Sequence, residues 1–372
     1  MSIDAQAQKT QRSLMANPAM VTGVYGLCHL IVDLASISTL LTAAKTGGFD
    51  AQWAALLILG YDFLAFSSQL FLGYALDRLG ITGRAAALGC AFTAVGAFLA
   101  FSSPILAVVL VSLGNGLFHV GGGVVVLRLD AGRALWPGLF VAPGAIGLYL
   151  GKLAGGTAWF QPWVLALLLA LGVAAGMFLQ APRREQAAPF PAVKGFALVV
   201  AALAGTVAIR SLVGFSVAYP WATGWQQALL LTLAVFLGKA LGGALGDRFG
   251  WRTVTVAGLL VSSPLLAFGA GIPALALAGV LCFNLTMAIT LAGLARMLPG
   301  YEGLAFGLTT TAIVVGLAPS TIPMWKPALG SPTVLLAMIL ASAAALWFAL
   351  GRLQQAEKAS ISIDETGVTR DV

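Results

Sequence analysis

Six ionisable side chains stand inside long apolar stretches: His29, Asp33, Asp62, His119, Arg210 and Lys239. A charge at the middle of a lipid bilayer costs on the order of 2.5–3.5 kcal/mol even on insertion scales, so each needs a partner, a wet cavity or a change of protonation. His29 and Asp33 are four residues apart and share one helix face, where an imidazole and a carboxylate can exchange a proton or hold a cationic group. Arg210 keeps its charge, so it must meet a carboxylate such as Asp33 or Asp62, or an anionic group on a ligand. Lys239 differs, because a desolvated ammonium can cycle between charged and neutral forms. Its repeat mate is Gln69, which confines this charge to the second half. His119 precedes Gly121, Gly122 and Gly123, where backbone can come close to another helix or leave room for a ligand. Asn284 is a neutral cavity-lining candidate. Each residue also has a purely structural reading, as an interhelical bond or a packing residue.

The elements that must position these groups follow from composition. The chain has 372 residues, 59% hydrophobic and 9% charged, with a mean hydropathy of +0.95, against about 25% charged in an average soluble domain. That excludes an ordinary soluble globular enzyme, because so few charges cannot cover the apolar surface of a chain this long. At roughly 20 apolar residues per crossing, twelve membrane helices are predicted near 18–43, 53–76, 83–101, 104–127, 134–157, 162–181, 195–217, 222–246, 253–271, 273–295, 302–325 and 332–351. The expected fold class is therefore an all-α integral membrane protein embedded in a lipid bilayer. No cleavable signal peptide is read, because residues 1–17 are polar and the first apolar stretch is too long.

Charge gives the orientation. Of the 20 Lys and Arg, Lys45, Lys152 and Lys326 fall in odd-numbered loops, and Arg210 and Lys239 fall inside spans. The remaining fifteen, from Lys9 to Arg370, lie in the tails and even-numbered loops. The positive-inside rule then places both termini in the cytoplasm of a bacterial-type inner membrane. The net charge of +7 is spread in ones and twos, which argues against nucleic-acid binding. Cys28, Cys90 and Cys282 show neither zinc-type spacing nor a disulfide framework. No metal and no cofactor is expected, and HExxH, GxSxG and GxxxxGK[ST] motifs are absent, so the chain is not read as an enzyme or an ATP-driven pump.

A polar connection at residues 182–194 divides the chain into residues 1–181, a six-helix bundle, and residues 195–372, a second bundle with a tail. The halves repeat. Leu72 to Arg84 reads LGYALDRLGITGR and Leu241 to Arg252 reads LGGALGDRFGWR, with Asp77 and Arg78 each 170 positions before Asp247 and Arg248. A near-constant offset indicates duplicated halves, the parallel-repeat plan of many secondary transporters.

The loop formed by Gly73, Asp77, Arg78 and Gly80, echoed at Gly243, Asp247, Arg248 and Gly250, resembles the signature loop of the major facilitator superfamily. There, Asp and Arg would pair or cap neighbouring helices and act as gates. A narrower resemblance is to the fosmidomycin-resistance branch, through His29 and Asp33 (CHLIVD), Gly114 to His119 (GNGLFH), Gly138 to Gly151 (GLFVAPGAIGLYLG) and the pair Arg210 and Ser211. Here Val120 and Gly121 to Gly123 follow His119, where that branch carries Pro and Glu. The resemblance implies a monomeric, proton-coupled antiporter that exports a small anionic, zwitterionic or amphipathic solute by rocking two bundles about a central site. Proton-coupled uptake, or a receptor or assembly protein of the same fold, are the alternatives. Glycines of the fifth span (Gly138, Gly144, Gly147, Gly151) and eighth span (Gly238, Gly242, Gly243, Gly246) are expected at sliding contacts. Thr309 to Thr311 and Gly316 are expected to contact the second span, and seven tryptophans, Trp251 among them, to form an interfacial belt.

Overall fold

A computed structural model describes residues 17–130, 132–180 and 193–366, with side chains to residue 359. The connection at 182–194 therefore lies outside the described residues, apart from its last two, as do Lys9, Arg12, Arg183, Arg184 and Arg370. The described residues are helical: α1 Pro18–Thr46, α2 Ala51–Leu79, α3 Thr82–Leu99, α4 Pro104–Leu129, α5 Leu135–Ala154 and α6 Pro162–Phe178. The second half has α7 Phe196–Ser216, α8 Trp225–Phe249, α9 Trp251–Phe268, α10 Pro273–Met297 and α11 Glu302–Ser320, then α12 Pro332–Thr366. Eleven of them are long and apolar enough to cross a membrane, and α6 is a shorter apolar helix, so the chain is a multi-pass membrane protein. Proline begins α1, α4, α6 and α10, where its missing N–H costs no helical bond.

Two helices are irregular in ways that the apolar pattern does not announce. A π-turn over Phe63–Ser67 interrupts α2. One carbonyl freed by such a bulge needs another donor, and Thr310 of α11 donates its hydroxyl to Phe66 O at 3.1 Å. In α10 the helix is broken between Asn284 and Thr286. Helix α11 ends at Ser320, with Pro319 inside its last turn, short of the expected 325. Helix α12 runs well past 351.

The buried apolar residues form two large clusters. One draws on α1 to α6 with Leu291 and Phe306 added, the other on α7 to α12 with Ala134 added. Inside the first, α3 and α4 meet through glycines: a Cβ on Gly89 would come 2.5 Å from Gly114 O, and one on Gly114 would come 2.7 Å from Gly89 O. This crossing sets the position of Asn115 and His119 on α4. Gly114→Val is expected to lower stability by about 1–3 kcal/mol, read as a lower melting temperature in detergent. An unchanged melt would show that the crossing tolerates spreading.

The glycine expectations hold in part. Gly138 packs on the Lys239 carbonyl of α8, and Gly243 on Ala134 at the start of α5, so these two lie at the α5–α8 crossing. Gly144, Gly147 and Gly151 pack against α1 instead, and Gly238, Gly242 and Gly246 face Leu281, Leu285 and Ile289 of α10. Gly307 meets α2 at Gln69, whereas Gly316 packs against Ala208 and Ser211 of α7. Gly138, Gly243 and Gly307 thus lie between the halves, and the others serve packing within one half. Trp251 stands at the first residue of α9, at a helix end as expected, but packs against protein. It is buried, with its ring under the Arg296 guanidinium at 3.9 Å and its Nε1 donating to Asp247 at 2.9 Å.

Candidate functional site

The first half gathers His29, Asp33, Asn115 and His119 into one buried cluster. His29 Nε2 is 3.2 Å from Asp33 Oδ2, and His119 Nε2 is 3.5 Å from Asp33 Oδ1. Asn115 Nδ2 donates to Asp33 Oδ1 at 2.9 Å. Each imidazole is oriented by a backbone carbonyl: His29 Nδ1 donates to Phe140 O of α5 at 2.8 Å, and His119 Nδ1 to Asn115 O at 2.8 Å. The two rings stand edge to face with centroids 4.3 Å apart. With both Nδ1 protons committed to carbonyls, a neutral imidazole presents a bare Nε2. Two such nitrogens and a carboxylate are all acceptors, so at least one proton or other cation must be shared among them. Helix α5 leaves the room. A Cβ on Gly144 would lie 2.5 Å from His29 Nε2 and 2.6 Å from Asp33 Oδ2.

The second half supplies a cavity of about 360 Å³ lined by Arg210, Ser211, Lys239 and Asn284 among apolar side chains including Val235, Phe283, Met287 and Ile313. Arg210 is buried, and its Nη1 is 3.4 Å from Thr290 Oγ1. It forms no ion pair among the described residues, so the carboxylate contact expected of it, from Asp33 or Asp62, is not made. The Lys239 ammonium likewise has no hydrogen bond or ion pair among the described residues. Its charge acts on Asp33, His119 and Arg210, which brings the two halves of the site within electrostatic reach. Asn284 lines the cavity, with its amide Nδ2 tied to Val280 O at 2.9 Å. Asp62 does not join. It lies at the start of the π-turn in α2, where the opposing charge acting on it is that of Lys152 on α5.

The two signature loops close one face of the protein. Asp77 accepts from Gly303 N at 3.0 Å and Leu304 N at 2.8 Å, in the first turn of α11. Asp247 accepts from Ala134 N and Leu135 N, both at 2.9 Å, at the start of α5. A carboxylate at a helix N-terminus meets unpaired N–H groups and the positive end of the helix dipole. The repeat thus places one such clasp on each side of the interface. Arg78 and Arg248 take no part in the clasps and are exposed. The cation at the first clasp is Arg128 of α4, 3.2 Å from Asp77 Oδ1 and 2.9 Å from Glu302 Oε2. Gly73 lets α2 approach α11 there, since a Cβ would collide with the Gly303 backbone. Behind the second clasp Arg296 bonds Glu357 and Gly132 O.

Three contributors escaped the sequence reading. Asn115 sits in the GNGLFH segment at i,i+4 from His119, a spacing that places both on one face. Arg128 counted there only as a topology charge. Glu302 had no distinguishing signal.

The comparisons with solved structures place the fold. A major facilitator superfamily transporter, FucP, in an outward conformation superposes with a TM-score of 0.66 at 16% identity, over 90% of this chain and 98% of that one. The chain has the major facilitator fold. The E. coli fucose:proton symporter FucP gives a TM-score of 0.65 at 16% identity over the same shares. The human organic anion transporter MFSD10 gives 0.60 at 14% identity, covering 91% of this chain and 100% of that one. No protein-family model and no curated protein matches the sequence.

Proposed function

We propose that the chain is a secondary transporter that moves a small anionic, zwitterionic or amphipathic solute across a bacterial-type cytoplasmic membrane by alternating access, coupled to proton exchange and running as efflux. The observation that carries this reading is the pairing of an imidazole–carboxylate cluster in one half with a cavity holding Arg210 and Lys239 in the other. A cavity with two cations and no carboxylate of its own favours an anionic guest, with apolar walls for its body. The acceptor cluster opposite favours a proton as the coupling ion. The clasped face carries Arg78, Arg84, Arg128, Arg133 and Arg248, which supports its assignment to the cytoplasm. A protein clasped there would present its cavity to the outside.

The cluster also unites three segments of the fosmidomycin-resistance resemblance, on α1, α4 and α5, which supports that branch. Proton-coupled uptake is the second reading. It is favoured by the likeness to a fucose:proton symporter of this fold.

The test is flux in proteoliposomes carrying a lumenal pH dye, screened with organic anions and amphipathic drugs. Arg210→Ala is expected to weaken binding of the active anion by about 10- to 150-fold, the loss of one charge-assisted bond worth about 1.5–3 kcal/mol. Unaltered anion affinity would remove Arg210 from recognition. Proton movement in the same direction as the solute would select symport and with it the uptake reading.

A further inference from the structure

We infer that His29, Asp33 and His119 form a binding site for a divalent transition-metal ion of the zinc type, held by the two Nε2 atoms and the carboxylate. The inference goes beyond the transport reading and does not depend on it, because binding is a property of the resting protein. Proton and metal ion would be alternative occupants of the same acceptors.

The donor set is the first argument. Two neutral imidazoles and one carboxylate are a common zinc ligand set, with the fourth corner left to water or a guest. Spacing is the second. Ligand atoms about 2.0–2.1 Å from a tetrahedral ion stand about 3.3 Å apart, and here His29 Nε2 is 3.2 Å from Asp33 Oδ2 while His119 Nε2 is 3.5 Å from Asp33 Oδ1, one imidazole to each carboxylate oxygen. One ligand atom from each residue lies within 4.8 Å of the others, so a modest contraction would bring all three onto one ion.

The third argument is the support around the ligands. A metal-bound histidine needs its other ring N–H on a fixed acceptor, and a ligating carboxylate needs its own donor. His29 has Phe140 O, His119 has Asn115 O, and Asp33 has Asn115 Nδ2. Both imidazoles are thereby set as the tautomer that offers Nε2. Their bare nitrogens and the carboxylate would repel one another with nothing between them, whereas an ion bearing two positive charges satisfies all three. The space beside them is kept open by Gly144, where any side chain would meet His29 Nε2 and Asp33 Oδ2. The facing charge that opposes an ion is Lys239, and Asn115, Ser36, Tyr61 and the rings of Phe118 and Phe140 stand around the cluster.

The chain contains two histidines, His29 and His119. In a tag-free, full-length monomer, imidazole ligation therefore reports this site alone. Purified protein in detergent would be titrated calorimetrically with Zn2+, and with Co2+ followed by its visible absorption. One ion per chain is expected, with Co2+ bands of a low-coordinate nitrogen and oxygen site and no thiolate charge-transfer band. His119→Gln and His29→Gln are each expected to weaken Zn2+ binding by about 100-fold or more. Gly144→Ala, which keeps every ligand but fills their space, should weaken it as well. Because a variant can misfold, X-ray absorption of the zinc-loaded wild type supplies an independent readout, with two imidazoles per zinc expected. Failure of the wild type to bind at stoichiometric metal, sulfur ligation through a cysteine, or equal binding by the double histidine variant would each overturn the assignment. Silent transport assays with intact zinc binding would count against the transport reading and leave this one standing.

Discussion

Asp33→Asn is expected to abolish solute-driven proton movement while leaving the fold and the solute site in place. The amide is isosteric with the carboxylate, and its atoms suit the neighbours already present. Its Oδ1 can accept from Asn115 Nδ2, as the native oxygen does at 2.9 Å. Its Nδ2 can donate to the bare Nε2 of His29, which faces Asp33 Oδ2 at 3.2 Å. The cluster then loses its negative charge and its exchangeable carboxyl proton. His119 Nε2, 3.5 Å from the retained Oδ1, is left as an unpaired acceptor, which costs about 1–3 kcal/mol, less than the stability of a typical fold. Solute binding to the Arg210 cavity would persist, and the pH-dye signal on solute addition would fall to the level of empty liposomes. Retained coupling would remove Asp33 from the mechanism. A collapsed melt would show instead that the carboxylate holds α1 and α4 together.

The second large effect is expected at the clasps. Asp77→Ala combined with Asp247→Ala should shift the protein away from the conformation described. Each carboxylate satisfies two backbone N–H groups at the start of a helix in the opposite half. Losing such a cap costs about 0.5–2 kcal/mol, and Asp77 also leaves Arg128 with one carboxylate partner in place of two. The two clasps are separate, so their contributions should nearly add, to about 1–4 kcal/mol or at least a fivefold change in population. A cysteine placed at Met287, which lines the cavity, in a background lacking Cys28, Cys90 and Cys282, would read this out. Labelling by an impermeant thiol reagent applied from the clasped face should accelerate in each single variant and further in the double. If the double variant labels at the wild-type rate, the clasps do not set the equilibrium.

Much of the site was legible because lipid makes ionisable residues conspicuous. His29 and Asp33 stand four apart on one helix, and the i,i+4 rule alone puts them together. His119 is 86 positions away from Asp33, and no local rule joins them. What does so is the direct packing of α4 on α1, where a Cβ on Gly122 would come 2.9 Å from the Tyr25 ring, together with the Asn115 bond to Asp33. Asn115 is a neutral polar residue, and nothing in an apolar pattern distinguishes it from one that bonds its own helix. The arginine of each signature loop is the opposite case. It was conspicuous, yet solvent takes it, and the clasp draws on Arg128 and Glu302 from other helices.

Twelve apolar segments, their order and the duplication of the halves were determined by the sequence itself, because burial in lipid demands about 20 apolar residues per crossing whatever the neighbours are. Tertiary structure decided which charges meet. Of the two partners open to Arg210, a carboxylate or an anionic group on a ligand, the described residues supply no carboxylate and place it beside Thr290 and a cavity, and the helix-capping aspartates reach across to the other half. It also decided that α2 carries a π-turn and that α10 breaks at Asn284. The reason is physical: apolar periodicity specifies how a helix meets lipid, whereas partners within the bundle depend on close approaches set by residues far apart in the chain.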